Sequence, residues 1–248
     1  MLGIIGGTGL TQLTNLEATR QQAMRSPYGE PSGPLTFGRI NGQEVVFLAR
    51  HGYSHGIPPH MVNYRANIWA LHAANVTHVL SVASVGGIRP DLGPGVICIP
   101  HQMLDYTWGR KSTFFEGDEG DVVHIDFTHP YCEELRLRCI EAAHLAGQQI
   151  VQGGVYATTQ GPRLETAAEI DRLERDGADM VGMTGMPEAA LAREQGLCYA
   201  AIAVVANYAA GRAGSREGIR MEDIHSTMQT ALTKVRAILE KLVEIHGR

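Results

Sequence analysis

The sequence predicts an α/β fold: one domain over residues 1–248, with a central mixed, twisted β-sheet flanked by helices. Short apolar runs alternate with longer amphipathic stretches along the whole chain, the pattern of strands joined by helices. Asn41-Gly42 lies between two such runs, a two-residue hairpin signal that makes the sheet mixed rather than purely parallel. Glycine supplies 29 of 248 residues, as expected where many tight turns and close backbone approaches surround a ligand. No linker, internal repeat or low-complexity tract divides the chain.

The elements follow in order. Residues 2–5 are an apolar run that ends in Gly6-Gly7-Thr8-Gly9. Residues 35–40 and 44–49 form the hairpin around Asn41-Gly42. Residues 62–74 read as a helix, with Ile68, Trp69 and Leu71 on or near one face. Residues 76–85 are rich in strand formers and end at Gly86-Gly87, and residues 95–100 form another short strand. Residues 130–147 read as a helix, Pro130 at its start and Gly147 just past its end. Residues 151–159 form a strand, 165–175 and 187–195 helices, 198–206 a buried strand, and 221–245 a long amphipathic helix. Residues 105–129 are irregular and acidic, with Asp118, Glu119 and Asp121, and 212–220 are polar and glycine-containing. Loops of such length inside a compact domain are often functional or interfacial.

Hydrophobic residues make up 44% and charged residues 19%, which excludes a disordered chain. A net charge of −5 argues against a general nucleic-acid binder, although a single phosphate needs only a few local donors. The cysteines at 98, 132, 139 and 198 show no C-x-x-C spacing, so buried reduced thiols are expected. Residues 1–7 carry no basic segment and too short an apolar run for a signal peptide. No stretch approaches the ~20 apolar residues of a membrane span. A cytoplasmic protein is expected.

Six segments carry candidate chemistry. Gly6-Gly7-Thr8-Gly9 follows a strand and offers backbone N–H groups and a hydroxyl to an anion; it also reads as a plain tight turn. Arg50-His51-Gly52 closes a strand, where the guanidinium is suited to grip a phosphate bidentately. His51, His55 and His60 do not have zincin spacing, so no metal is expected, and a solvated basic loop is the alternative. Val82-Ala83-Ser84-Val85-Gly86-Gly87 is another strand end with small residues. Ligands of open α/β sheets bind outside the carboxyl ends of strands, so these three ends suggest one composite anion site. Glu165 follows Gly161-Pro162-Arg163-Leu164 and is either a ligand or a favourable charge at a helix N-terminus. Thr184, before Gly185-Met186-Pro187-Glu188, either caps a helix or binds an anion. Asn207 ends a buried strand, where its amide both donates and accepts.

Gly6-Gly7-Thr8-Gly9, Arg50-His51-Gly52, Val62-Asn63-Tyr64-Arg65-Ala66-Asn67-Ile68, Gly161-Pro162-Arg163 and Met183-Thr184-Gly185-Met186-Pro187-Glu188 together resemble the trimeric purine nucleoside phosphorylase and methylthioadenosine phosphorylase family. The resemblance runs in order from residue 2 to about 245. It implies a homotrimer that cleaves an N-glycosidic bond with phosphate as co-substrate and without metal or organic cofactor. Thr8, Arg50, His51, Ser84 and Thr184 match the family's phosphate contacts, and Met183 a residue beneath the ribose. His124 resembles a residue that reaches into a neighbouring subunit's site. Leu164 falls where the family often has an aromatic side chain on the base. Ala83 falls where methylthioadenosine phosphorylases have threonine, so one phosphate contact is lost or made by backbone alone. Asn207 is the expected donor to N7 of the departing purine.

The substrate follows from two ends of the nucleoside. Adenine-specific members carry Asp at position 207, Asp at 209 and Ser at 165, where this chain has Asn207, Ala209 and Glu165. A Glu165 carboxylate accepts from the N1–H of a 6-oxopurine but faces only a lone pair on adenine N1. Met221 aligns with a histidine that serves the 5′-hydroxyl, and its thioether favours an apolar 5′ group; plain core packing at a helix start is the alternative. A 6-oxopurine end and an apolar 5′ end together describe S-methyl-5′-thioinosine. The alternatives are an inosine/guanosine phosphorylase, a methylthioadenosine phosphorylase with an unusual base site, and a non-catalytic nucleoside-binding protein.

Overall fold

The computed structural model describes residues 1–10, 13–117, 120 and 122–247; Asp118, Glu119 and Asp121 lie outside the described residues. Eleven strands form a single mixed sheet. They are β1 (Leu2–Gly6), β2 (Glu17–Gln22), β3 (Leu35–Ile40), β4 (Gln43–Ala49), β5 (His78–Gly87), β6 (Ile97–Ile99), β7 (Gln102–Asp105), β8 (Val151–Gln152), β9 (Val155–Thr158), β10 (Met180–Gly182) and β11 (Cys198–Tyr208). The main path runs β2-β3-β4-β1-β5-β10-β9-β7, and β11 joins β5 to β6, which in turn pairs with β8. The centre is parallel, β4-β1-β5-β11, and the β3-β4 hairpin turns on Asn41 and Gly42, both at positive φ.

Among the described residues the α-helices are α1 (Tyr64–Ala73), α2 (Glu133–Leu145), α3 (Ala167–Arg175), α4 (Gly185–Glu194) and α5 (Met221–His246). Helices α2 and α5 pack together over one face of the sheet, and α1 and α4 over the other. In α5 the buried side chains Ile224, Met228, Leu232, Val235, Leu239 and Leu242 recur every three or four residues, the stripe its sequence predicts. Asn63 caps α1 by accepting from the Ala66 N–H at 3.1 Å.

Three strands escape the sequence reading. β2 is exposed throughout and polar apart from Ala18, and β7 and β10 have four and three residues, too short for a period to show. The predicted strand at 151–159 divides into β8 and β9 at Gly153-Gly154, with Gly153 at φ +95°. The predicted helix at 130–147 begins later, at Glu133, because Cys132 donates its backbone N–H to the Tyr199 carbonyl and is held extended.

The same contact corrects the cysteine expectation. Cys132 and Cys198 form a disulfide with Cα atoms 5.1 Å apart, while Cys98 and Cys139 are buried free thiols. Sixty-six residues separate the pair in sequence, and no local spacing signals it. Among the described residues no helix is long and apolar enough to cross a membrane.

Candidate active site

The carboxyl ends of β1, β4, β5 and β10 open into one cleft of about 620 Å³. It is completed by the segment after β9, the end of β11 and the start of α5. Thr8, Arg50, His51, Ala83, Ser84, Leu164, Glu165, Met183, Thr184, Asn207, Ala209 and Met221 all line it. Of the residues singled out from the sequence as site residues, His124 alone does not; it is exposed in the irregular stretch before α2.

One end of the cleft is built around Arg50, fully buried just past β4. Its Nε and Nη2 donate to the two Glu188 carboxylate oxygens at 2.7 and 2.9 Å. Nη2 also donates to Ser81 Oγ at 2.6 Å, and Nη1 to the Val82 carbonyl at 3.1 Å. This corrects the expectation of a bidentate grip on phosphate: the fork is already occupied by Glu188. Among the described residues four of the five guanidinium hydrogens have acceptors, and one on Nη1 does not. Burial disfavours the charged form, but the Glu188 carboxylate outweighs it and raises the Arg50 pKa above its ordinary value. Gly7 permits this packing, since a Cβ there would sit 2.5 Å from the Val82 oxygen and 3.0 Å from Arg50 Nη1. Thr184 precedes α4 without capping it through its side chain, and it lines the cleft.

His51 has its pKa pushed down to about 4 by burial and by the Arg50 charge. Neutral His51 donates Nδ1–H to the Ile57 carbonyl at 2.8 Å, which leaves Nε2 as an acceptor. Neutral His51 therefore presents an acceptor nitrogen and supplies no cation. The sign of the linkage is fixed: between about 6.5 and about 4 the unfolded chain binds the proton that folded His51 refuses. Stability is expected to fall as pH drops through that window. Thermal melts should show a shallower fall for His51→Asn; His246, also held near 4, contributes equally to both proteins.

Another wall of the cleft carries Glu165 and Asn207. Thr166 and Glu169 form a reciprocal capping box at the start of α3, so Glu165 is not needed there and stands outside the helix. Its Oε1 accepts from Thr159 Oγ1 at 2.6 Å, and Oε2 has no partner among the described residues. The helix-end alternative for Glu165 is thereby replaced by a fixed carboxylate on the cleft wall. At the end of β11 the register against β5 slips between Val205 and Asn207, making Ala206 an extra residue. Such a bulge re-aims the following side chain, and both Ala206 and Asn207 line the cleft. Asn207 Nδ2 donates to the Tyr208 carbonyl at 2.6 Å; the other N–H and Oδ1 have no partner among the described residues.

At the opposite end Met221, the first residue of α5, is 56% exposed and lines the cleft with Ile219 and Ile224. Core packing is therefore not its role. Gly161, at φ +61°, lies against Met183, and a Cβ there would collide with the Met183 sulfur.

Two residues of this site had no role in the sequence reading. Glu188 was the lone charge in the apolar run Met186-Pro187-Glu188-Ala189-Ala190-Leu191, a signal of a buried partner. His225 lies four residues after Met221, hence on the same helix face, and lines the same cleft.

A family model described as Phosphorylase superfamily matches residues 1–244. The chain belongs to the phosphorylase superfamily. This phosphorylase is 54% identical over 240 residues to a probable S-methyl-5′-thioinosine phosphorylase of Pseudomonas syringae pv. tomato, covering 97% of each chain. It is 45% identical over 220 residues to the 6-oxopurine nucleoside phosphorylase of Pyrococcus furiosus, covering 87% of this chain and 82% of that one. It is also similar to methylthioadenosine phosphorylase from Schistosoma mansoni in complex with adenine. That structure superposes with a TM-score of 0.95 at 33% identity, over 99% of this chain and 91% of the other. The phosphorylase is an enzyme that transfers the pentosyl group of purine nucleosides to phosphate.

Proposed function

We propose that the enzyme converts S-methyl-5′-thioinosine and phosphate to hypoxanthine and 5-methylthioribose 1-phosphate. The observation that carries this reading is the pairing of Glu165, fixed by Thr159, with Asn207 on the base wall. Hypoxanthine offers N1–H to the free Glu165 oxygen, while its O6 and N7 lie within the competence of one amide. The names of the similar phosphorylases of Pseudomonas syringae and Pyrococcus furiosus support a 6-oxopurine, and Met221 with Ile219 and Ile224 supports an apolar 5′ group.

In this reading phosphate is held by Thr8, Ser84, Thr184, the remaining Arg50 N–H and His51. One of its oxygens bonds to the anomeric carbon as the bond from that carbon to purine N9 breaks, through an oxocarbenium-like transition state. The electron pair goes to the purine ring, where Asn207 stabilises it at N7. Holding phosphate and nucleoside in line supplies much of the rate. No side chain forms a covalent bond, and no metal or organic cofactor takes part. Met183 lies beneath the ribose, and Leu164 and Ala209 border the base. Ala83 adds only backbone to the phosphate end. We place the working enzyme in the cytoplasm, as one domain and a homotrimer whose exposed His124 enters the neighbour's cleft.

His225 favours a second reading, inosine as an additional substrate, because an imidazole on the Met221 face can bond a 5′-hydroxyl. The test is phosphate-dependent base release from methylthioinosine, methylthioadenosine, inosine and adenosine in parallel, for wild type and His225→Leu. Methylthioinosine is expected to dominate, and His225→Leu to lower inosine kcat/KM by about tenfold while sparing methylthioinosine. A faster methylthioadenosine rate overturns the base assignment, and no phosphorolysis of any substrate overturns the proposal.

A further inference from the structure

Arg110 lies in the irregular segment after β7 and does not line the cleft. Yet its five N–H donors reach six acceptors, one of the Nη1 hydrogens being shared, and none of the six is a carboxylate. Nη1 donates to the carbonyls of Met186 at 2.6 Å and Met183 at 2.9 Å, and to Tyr64 Oη at 3.2 Å. Nη2 donates to the carbonyls of Gln160 at 2.9 Å and Thr159 at 3.3 Å, and Nε to Gln160 Oε1 at 3.1 Å. Arg110 also stands 5.4 Å from the centre of the Tyr64 ring.

The partners belong to three separate walls of the cleft. Thr159 is the residue whose hydroxyl holds Glu165 on the base wall. Met183 itself lines the cleft, next to Thr184, and Met186 lies at the start of the helix that carries Glu188. Tyr64 donates its hydroxyl to the carbonyl of Pro59, another residue of the cleft lining. One planar group thus satisfies backbone oxygens of the base wall, the ribose floor and the α4 turn together.

Resting on the phosphorolysis reading above, we infer that Arg110 is a positioning residue that sets the purine-binding and ribose-binding walls in register. It touches no substrate. Its effect passes through Thr159 to Glu165, and through the Met183 carbonyl to the ribose floor. Lysine cannot replace it, because one ammonium offers three donors from a single point, whereas this site uses five in a fixed plane. Arg50 is anchored separately, on Glu188, Ser81 and Val82, and shares no direct bond with Arg110, so of the proposed phosphate contacts only Thr184 adjoins an Arg110 partner.

The experiment compares wild type with Arg110→Lys and Arg110→Ala in methylthioinosine phosphorolysis. It measures kcat and both KM values, circular dichroism with thermal melts, and rescue of Arg110→Ala by guanidinium ion at tens of millimolar against sodium. A displacement of about 1 Å between bound groups costs about 100-fold, so both variants should lose that order in nucleoside kcat/KM. Phosphate KM should stay within about threefold of wild type, because Arg50 keeps its own anchors. Guanidinium, and not sodium, should restore part of the Arg110→Ala rate. Full activity in Arg110→Lys overturns the inference. So does a loss that follows only the folded fraction, with both KM values unchanged and no rescue. An active wild type with unaffected variants removes this inference alone, whereas an inactive wild type removes the phosphorolysis reading and this inference with it.

Discussion

Glu188→Ala is expected to be among the most damaging single substitutions in this chain, lowering stability by about 3–5 kcal/mol. The physical reason is an imbalance. Arg50 and Glu188 are both fully buried, and their fork geometry replaces the water each charge has lost. Removing the carboxylate leaves a guanidinium with only Ser81 and the Val82 carbonyl for company. It also strips the Tyr199 hydroxyl, which donates to Glu188 at 2.9 Å, of its acceptor. Urea denaturation of wild type, Glu188→Ala and the double variant Arg50→Met/Glu188→Leu measures the effect. The double variant should recover most of the stability, since both charges leave together, while its phosphate-dependent activity stays lost. Wild-type-like stability in Glu188→Ala would show that the buried pair is not what holds α4 to the end of β4.

The second large effect is expected at the base wall. Glu165→Ser with Asn207→Asp should reverse the preference between methylthioinosine and methylthioadenosine, with a combined change in the kcat/KM ratio of about 10⁴. A carboxylate facing hypoxanthine N1–H completes a hydrogen bond, and the same carboxylate facing adenine N1 sets two acceptors against each other. Serine can donate to that lone pair, and an aspartate at 207 can accept from the adenine amino group. Each substitution alone should be poor with both nucleosides, because the remaining member still opposes one of them. The parallel assay on the two nucleosides reads the ratio directly. A double variant that still strongly favours methylthioinosine would assign base selection to other residues.

How much of this was legible before the fold was known depends on the range of each interaction. The hairpin at Asn41-Gly42 and the stripe of α5 are local patterns, and both were readable. Segments that end strands with glycine and hydroxyl residues were readable as parts of one cleft because the α/β architecture brings strand ends together. Arg50 was legible as important but not as spent: its partner lies 138 residues away, and no spacing announces a fork already filled. The Cys132–Cys198 bond and the bonds of Arg110 to Met183 and Met186 hide for the same reason. His225 was missed differently, since its helical offset from Met221 was available and only the cleft gave it meaning. Strand β2 has no apolar alternation at all and is held as an edge by its ladder to β3.

The contrast between the two ends of the cleft bears on how such an enzyme diversifies. The end proposed to hold phosphate rests on a buried charge pair rooted in β4, β5, α4 and β11, where a single change unbalances the interior. The nucleoside end, in the reading proposed above, combines Asn207 on β11 with Leu164, Glu165 and Met221 at loop and helix margins, of which Leu164 is 40% and Met221 56% exposed. Mutational tolerance is therefore polarised across the cleft. A lineage can trade one purine or one 5′ substituent for another at little thermodynamic risk, while the co-substrate stays locked. Divergent members of such a lineage should differ in the nucleoside they accept far more readily than in the anion that cleaves it.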